Sequence, residues 1–163
     1  MKAKTPAPAQ ALVFEPEFIV ALTDLFENKI VFNHLLGLKI TSLQAEKVTV
    51  KLAMRPDLVG HFATHRIHGG VISACIDAVG GLAILAANGA RHMIEPPLER
   101  LKRFAKLGTI DLRVDYLRPG LGAEFEIRAE VLRLGSRVAS VRMEFLDADC
   151  QLISIGTGAY IVS

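Results

Sequence analysis

The pattern of apolar and polar positions changes several times along the chain and predicts helices and strands in a definite order. Apolar residues at spacings of three and four predict an amphipathic helix over Glu15–Leu36, entered through Pro16 and left through Gly37. Six later stretches alternate apolar and polar residues, as half-buried strands do. These predicted strands are Leu38–Leu43, Lys47–Met54, Thr109–Leu117, Ala123–Leu134, Arg137–Leu146 and Leu152–Val162.

Between the two groups of strands, Gly69–Ala87 predicts a helix that is apolar nearly all round and is stopped by Asn88-Gly89. A helix without a polar face must be buried on most sides. Its many small residues let neighbouring backbone come close, although each interior glycine costs about 1 kcal/mol of helix propensity. Strands adjacent in sequence tend to be adjacent in space. The sequence therefore predicts an α+β fold, with one curved antiparallel sheet wrapped around a central apolar helix.

Two connecting segments complete the predicted order of elements. Leu58–Ile67 is expected to be a loop, and it carries His61 and His65. Arg91–Leu107 is more polar and predicts a short helix after Pro96-Pro97. The residues expected to line one face of that helix are Leu98, Leu101 and Ala105.

Length and composition narrow the class of protein. A chain of 163 residues is enough for one domain with its own core. Prolines in residues 1–13 predict a flexible lead-in and not a signal peptide, ahead of a single domain over residues 14–163. A net charge of +2, no Trp and only 6% aromatic residues argue against a nucleic-acid partner. The mean hydropathy of +0.36 predicts apolar surface buried between subunits.

The cysteines and the apolar helix indicate the cellular compartment in which the protein is expected. Cys75 and Cys150 are the only cysteines, and their apolar neighbours predict free, buried thiols of a reducing compartment. The apolar helix carries Asp77, Asn88 and several glycines, so it is a poor candidate for a membrane span. We therefore expect a cytoplasmic protein without a membrane partner.

Asp77 and two glycines are the candidate functional groups of the apolar helix. An acidic residue in the middle of such a helix is costly unless it is paired or functional. Gly69 and Gly70 begin the helix, where backbone N–H groups lack intrahelical partners and suit a carbonyl oxygen or an anion. The alternatives are structural: the glycines would permit a tight turn, and Asp77 would close a contact between subunits.

The run HGGVISACIDAVGGLA (His68–Ala83) resembles the hotdog-fold acyl-CoA thioesterases of the PaaI-like branch. The stretch from Asp57 to Gly120 is most similar to the YigI-like members of that branch. The strand TIDLRVDYLRPG (Thr109–Gly120) supports the resemblance, which covers roughly Leu35–Val162. It implies hydrolysis of an acyl-CoA thioester to free acid and CoA, with no cofactor, in a homodimer or a dimer of dimers.

The resemblance also implies roles for residues of the helix and its approach. Asp77 would be the general base or the nucleophile, and the Gly69 N–H, together with that of Gly70, would polarise the carbonyl. His68 would arrange the oxyanion loop, although a histidine there can equally cap the helix start. His61 is nearest to an asparagine of the family's loop, but its spacing to His68 differs by one residue.

Further positions follow from the same resemblance. Thr109 matches a Ser or Thr that orients water, although threonine is also an ordinary strand residue. The nucleotide end of CoA is expected near the turn with Ser136 and Arg137, and Arg118 is a further candidate for the basic rim. A second candidate rim lies within Arg91–Leu107, a segment that could instead cap the acyl tunnel. Its basic residues are Arg100, Lys102, Arg103 and Lys106.

The spacing of Asp77 and Gly69 constrains how both could act on one substrate. Eight residues separate them, which is roughly 12 Å along a helix axis. One carbonyl group cannot touch both. If both act on the same thioester, one of them must come from a second chain, with two central helices running antiparallel across a two-fold axis.

Other functional classes fit the sequence less well. His61, His65 and His68 lack a nearby cysteine or carboxylate to complete a metal site, so no metal is expected. A non-catalytic acyl-CoA-binding protein is the alternative function, although a binder has no need of a carboxylate in its core helix. A hotdog dehydratase or hydratase fits the HGG…Asp pattern poorly.

Overall fold

The computed structural model describes residues 13–163, so the expected lead-in over residues 1–13 lies, apart from Val13, outside the described residues. The described helices are α1 (Pro16–Asp24), α2 (Val31–Leu36), α3 (Gly69–Arg91) and α4 (Pro97–Leu101). The described strands are β1 (Lys39–Leu43), β2 (Lys47–Ala53), β3 (Val59–His61), β4 (Arg66–Ile67), β5 (Gly108–Tyr116), β6 (Glu124–Leu134), β7 (Val138–Asp147) and β8 (Leu152–Ile161).

Six strands form one antiparallel sheet in the order β1-β2-β6-β7-β8-β5. Alternation decides which face of each strand is buried: in β2, Val48, Val50 and Leu52 are buried, and the residues between them are more exposed. The buried face of the sheet packs against α3. The predicted α+β architecture, a sheet around a central apolar helix, is confirmed.

Small residues bring α3 and the sheet unusually close together. A Cβ added at Gly80 would collide with the hydroxyl of Tyr160 on β8. From the other side, a Cβ added at Gly156 would lie 2.5 Å from Cγ2 of Ile76. By length and composition α3 could cross a membrane, but most of it is buried inside this sheet. The glycines that weaken the helix are therefore offset by tight packing.

The predicted end of the apolar helix is wrong. Asn88 and Gly89 are buried inside α3, which continues to Arg91. A Cβ at Gly89 would collide with the ring of Phe18, so the glycine serves packing and not termination. The side chain of Arg91 donates to the Gly135 carbonyl (3.2 Å) and fastens the last turn to the β6–β7 turn.

The predicted N-terminal helix begins and ends as expected, at Pro16 and at Gly37 (φ +77°), but it is not continuous. A π-helical turn over Leu25–Lys29 and one extended residue separate α1 from α2. The amide of Asn33 donates to the Phe26 carbonyl across the break (3.1 Å) and satisfies a carbonyl that a regular helix would have paired. The 3.6-residue period of the sequence continues through the break, which is why periodicity misses it.

The segment between α3 and β5 forms the predicted short helix, α4, and continues as a 3₁₀ turn over Lys102–Lys106. Its buried face differs from the prediction. Leu98 and Ala105 are exposed, whereas Leu101 and Phe104 are partly buried against the core.

Arg100 is fully buried and holds this segment to the rest of the domain. Its guanidinium donates to Glu15 (2.6 Å) and to the Gly89 carbonyl (3.0 Å), and it lies 4.5 Å from the ring centroid of Phe18. The hydrogen bond from Arg100 holds the pKa of Glu15 below its ordinary value. Arg100 therefore joins α4 to α1 and α3, and the prediction that it belongs to an exposed rim is wrong.

The expected loop over Leu58–Ile67 is partly regular. Strands β3 and β4 pair within it as a small hairpin. The hairpin is held at its open end by backbone hydrogen bonds, from His68 N–H to Leu58 (2.9 Å) and from Ile67 N–H to Gly120 (3.0 Å). It therefore adjoins the start of α3.

Both cysteines are free, as predicted, but only one of them is buried. Burial raises the pKa of the Cys75 thiol to about 12, so this thiol is inert at neutral pH. Cys150 is exposed in the β7–β8 turn, with φ +61°, and the expectation that it is buried is wrong. The apolar residues that follow it belong to β8 and face away from the turn.

Replacing each of two glycines of α3 by alanine should change the stability of the protein in opposite directions. Gly89→Ala forces a methyl group into the Phe18 ring and should lower the free energy of unfolding by about 1–3 kcal/mol. A Cβ at Gly81 meets only the end of Leu107, at 3.6 Å. Gly81→Ala should therefore raise stability by about 0.5–1 kcal/mol through helix propensity. Urea unfolding checks both, and equal effects of the two changes would contradict the packing described.

Candidate active site

Asp77 lies on α3 at the edge of an apolar cavity of about 410 Å³. The cavity is formed by α3, by the broken N-terminal helix and by the segment that precedes β5. Its apolar walls include Phe26, Ile30, Phe32, Leu82, Leu85, Phe104 and Leu107. The Asp77 carboxylate is half-buried beside these walls.

Two hydroxyl groups fix the carboxylate of Asp77. Thr109 donates to Oδ1 (2.9 Å), and the phenol of Tyr160 lies 3.2 Å from the same oxygen. Burial, and then the charge of Asp77, raise the pKa of Tyr160, so the phenol stays protonated and remains a donor. No group within residues 13–163 hydrogen-bonds to Oδ2, which is left free for chemistry.

Strand register brings these two hydroxyls together. Thr109 on β5 is the direct partner of Tyr160 on β8. The register shifts between Thr109 and Asp111, so Ile110 is an extra residue of the kind found in a β-bulge. The edge strand thus presents Thr109 to α3 next to the phenol.

The start of α3 differs in one respect from the expectation. His68 caps the helix, and its Nδ1 accepts a hydrogen bond from Gly70 N–H (2.8 Å). The Gly70 amide is therefore already paired within the chain, and its role as a donor to a carbonyl stays a prediction. Since Nδ1 accepts, the proton of the neutral His68 ring is on Nε2.

The Gly69 amide remains available. Among the described residues nothing accepts a hydrogen bond from Gly69 N–H. Its carbonyl accepts one from the hydroxyl of Tyr116 on β5 (2.9 Å), and the Tyr116 ring would lie 3.4 Å from an added Cβ. The turn is thus held from both sides, with one N–H directed away from the protein's own acceptors.

The helix keeps these two parts of the site apart. Gly69 and Asp77 lie on the single continuous helix α3, eight residues apart, which is roughly 12 Å. One carbonyl group cannot contact both within a single chain.

The remaining predicted residues occupy different places. His61 lies on β3 and contacts Thr64 (3.1 Å), with no hydrogen bond to the Asp77 or Gly69 regions. Arg118 lines a cavity of about 390 Å³ together with Gly69. Ser136 and Arg137 are exposed in the turn beside the C-terminal end of α3. The structure therefore separates the two candidate positions for the nucleotide end.

Within the part of the chain that the structure describes, no three His, Cys, Asp or Glu side chains come together as a metal site would require. His61 and His65 lie at opposite sides of the β3–β4 hairpin turn, and His68 is committed to the helix cap.

Sequence reasoning missed Tyr160 and Tyr116. In β8, Tyr160 shares a face with Ser154, Gly156 and Gly158, whereas Ile155 and Ile161 lie on the other face, so the apolar pattern does not mark Tyr160 as buried. A buried phenol requires a partner. That this partner is Asp77 follows only from the packing of β8 against α3. For Tyr116, the nearby Pro-containing turn gave no indication of its contact with Gly69.

The chain matches known proteins over most of its length. The family model of the thioesterase superfamily matches residues 65–154. The medium/long-chain acyl-CoA thioesterase YigI of Escherichia coli is 34% identical over 139 residues, which cover 85% of this chain and 90% of that protein. YigI of Salmonella typhimurium is 38% identical over 141 residues, with the same coverage.

Solved structures agree with the fold and the family. A Shewanella oneidensis protein related to the thioesterase superfamily superposes with a TM-score of 0.83 at 37% identity, covering 92% of this chain and all of that one. Mouse thioesterase superfamily member 2 shares the fold, with a TM-score of 0.69 at 17% identity over 88% of this chain and 96% of its own. The apolar helix, its carboxylate and the sheet around it are those of a hotdog domain, and the chain belongs to the thioesterase superfamily.

Proposed function

We propose that this protein hydrolyses acyl-CoA thioesters to free acid and CoA at a site shared between two copies of the chain. The observation that carries the proposal is the carboxylate of Asp77, fixed through Oδ1 by Thr109 and Tyr160 and open at Oδ2, beside an apolar cavity. The similarity to acyl-CoA thioesterases supports the substrate class.

The chemistry requires a base or nucleophile and a donor for the oxyanion. Oδ2 of Asp77 either takes a proton from water as it attacks the thioester carbonyl or attacks that carbon itself. The carbonyl oxygen gains charge and accepts a hydrogen bond from Gly69 N–H of the second copy, at the positive end of its helix. The C–S bond then breaks, and on the general-base route the leaving CoA sulfur takes the proton that Asp77 accepted from water. On the nucleophilic route the thiolate leaves an acyl–Asp77 anhydride, and water hydrolyses that anhydride to free acid, supplies the thiol proton and restores the carboxylate. His68 and Tyr116 act as positioning residues for the donor.

Uncovered surface supports the pairing of two copies. The part of α3 that the sheet leaves half-exposed includes Val71, Ala74 and Ala78. Beside it, Phe32 and Leu35 of α2 are more than half exposed. Strand β5 is an edge strand with one unpaired side. A second copy packed on these surfaces covers apolar area and brings its own Gly69 toward Asp77.

The outer face of the sheet is a poor place for further assembly. It carries several ion pairs, which would lose their hydration if two sheets packed face to face. These pairs are Lys47–Glu130, Lys51–Glu124, Arg128–Glu126 and Arg142–Glu144. We therefore favour a homodimer over a dimer of dimers joined through this face.

The basic groups suit the phosphates of CoA at two places. Arg66 and Arg118 line the cavity next to Gly69, where the thioester carbonyl would be held. Ser136 and Arg137 stay candidates for the nucleotide end if CoA extends along the dimer. His61 is left as a polar residue of the hairpin without a defined role, and the cytoplasm is the compartment we expect for two free thiols.

Replacing the carboxylate tests the function directly. Asp77→Asn keeps the shape and both hydroxyl contacts but cannot take a proton, so kcat for acyl-CoA hydrolysis should fall by about 10²–10⁴-fold. Release of free CoA thiol from decanoyl-CoA measures this. Asp149→Asn, in the exposed β7–β8 turn, is the matched control and should keep the wild-type rate. A folded Asp77→Asn protein with undiminished activity would rule the mechanism out.

The phenol should matter as a positioning residue. Tyr160→Phe keeps the ring under Gly80 but removes one hydrogen bond to Oδ1, and kcat should fall by about tenfold with KM little changed. Steady-state kinetics separates the two constants. A higher KM at unchanged kcat would show that Tyr160 shapes the binding site and does not hold the carboxylate.

Mixing two inactive chains tests the shared site. Gly69→Pro removes the free N–H at the first helical position, where proline is tolerated, and His68 before it is already extended (φ −69°, ψ 136°). Its added Cβ would lie at an ordinary contact distance of 3.4 Å from the Tyr116 ring. Co-expressed with Asp77→Asn, it should give mixed dimers that hold one intact site each. Activity per chain should then return to about a quarter of wild type. Activity no higher than that of either parent would show that each site lies within one chain.

A further inference from the structure

The cavity beside Asp77 continues along α3 toward the C-terminal end of the helix. The α3 residues that line it share one face at spacings of three and four, and they are Ala74, Asp77, Ala78, Gly81, Leu82 and Leu85. From Asp77 to Leu85 this face rises roughly 12 Å. Among the described residues the Asp77 carboxylate is the only charged group that lines the cavity, and the α3 side chains beyond it toward Leu85 are apolar.

Packing within the described chain does not require a glycine at position 81. A Cβ at Gly80 or at Gly89 would collide with an aromatic side chain, and both glycines are therefore required by neighbours. An added Cβ at Gly81 meets only Leu107, at an ordinary 3.6 Å, and otherwise points into the cavity. Gly81 keeps open a space that nothing in the described chain fills.

The wall opposite Gly81 comes from two irregular segments. Phe104 and Leu107 belong to the segment after α4, and Phe26 belongs to the π-helical turn. Arg100 holds the first segment to the body of the domain, since its buried guanidinium reaches Glu15. The wall is thus anchored, and its distance from α3 is fixed by packing.

We propose that the acyl chain of the substrate runs from Asp77 along α3 over Gly81 toward Leu85, and that Phe104 and Leu107 limit its length. The inference rests on the proposed function and adds the path of the acyl chain and the residues that limit its length. An extended alkyl chain advances roughly 1.3 Å per carbon, given single bonds of about 1.5 Å. The roughly 12 Å of wall therefore holds about nine carbons, which is the length of a medium acyl chain.

The apolar walls of the cavity also determine which groups can be accommodated at the far end of the acyl chain. A carboxylate or ammonium at the far end would be buried beside Leu82 and Leu85 without a partner, at a large cost. Asn33 also lines the cavity, but one N–H of its amide donates to the Phe26 carbonyl, and a neutral amide does not balance a buried charge. We therefore infer an unsubstituted aliphatic acyl group and discrimination against dicarboxylic acyl-CoAs.

Substitutions that fill or open the cavity test the proposal. Each buried methylene is worth about fourfold in binding, so Gly81→Leu, which displaces two or more, should lower the decanoyl-to-butyryl ratio of kcat/KM by at least about tenfold. Phe104→Ala opens the wall and should raise the palmitoyl-to-decanoyl ratio by about fourfold or more. Leu98→Ala, exposed in the same segment, is the matched control and should change neither ratio.

Gly81→Ala provides a second, milder filling variant in case the leucine is not folded. It should lower the decanoyl-to-butyryl ratio by about twofold to fourfold, while its thermal stability is kept or improved. Ratios unchanged in Gly81→Ala and Phe104→Ala, in a wild-type protein that does release thiol, would overturn this inference and leave the proposed function intact. Wild-type protein that releases no thiol from any acyl-CoA would overturn the proposed function itself.

Discussion

The close approach of β8 to α3 is the contact on which the site depends. It exists because Gly80 has no side chain, so that the hydroxyl of Tyr160 can enter the space beside the helix. The same register that brings Tyr160 there pairs it with Thr109 on the edge strand. Both hydroxyls then meet one oxygen of Asp77. A change in the β5–β8 register or in the position of Gly80 would therefore also change the orientation of the Asp77 carboxylate.

Much of this architecture could be predicted from local sequence patterns. The all-apolar segment beginning at Gly69 can only be a buried helix, and the alternating segments after it can only be strands against it. Asp77 was identifiable because a lone carboxylate in such a helix is costly. The helix cap by His68 could be proposed but not chosen over direct chemistry, because both use the same position next to Gly70.

The features that sequence could not supply all depend on distant partners. Nothing near Gly89 shows that it accommodates Phe18, so a glycine after an asparagine looked like the end of a helix. The break between α1 and α2 preserves the apolar period and is visible only in the backbone. Arginine is most often a surface residue, and the burial of Arg100 follows from its position between Glu15 and the last turns of α3.

Gly80 and Gly81 are adjacent in the chain but point about 100° apart around the helix. Gly80 faces the sheet and allows Tyr160 to approach Asp77, whereas Gly81 faces the cavity. Under the proposed acyl path, a substitution at position 81 changes which acyl chains fit without moving Asp77, whereas a side chain at position 80 displaces Tyr160 from the carboxylate. Chain-length selectivity and the proposed catalytic geometry can therefore evolve separately, although the two positions are adjacent in sequence.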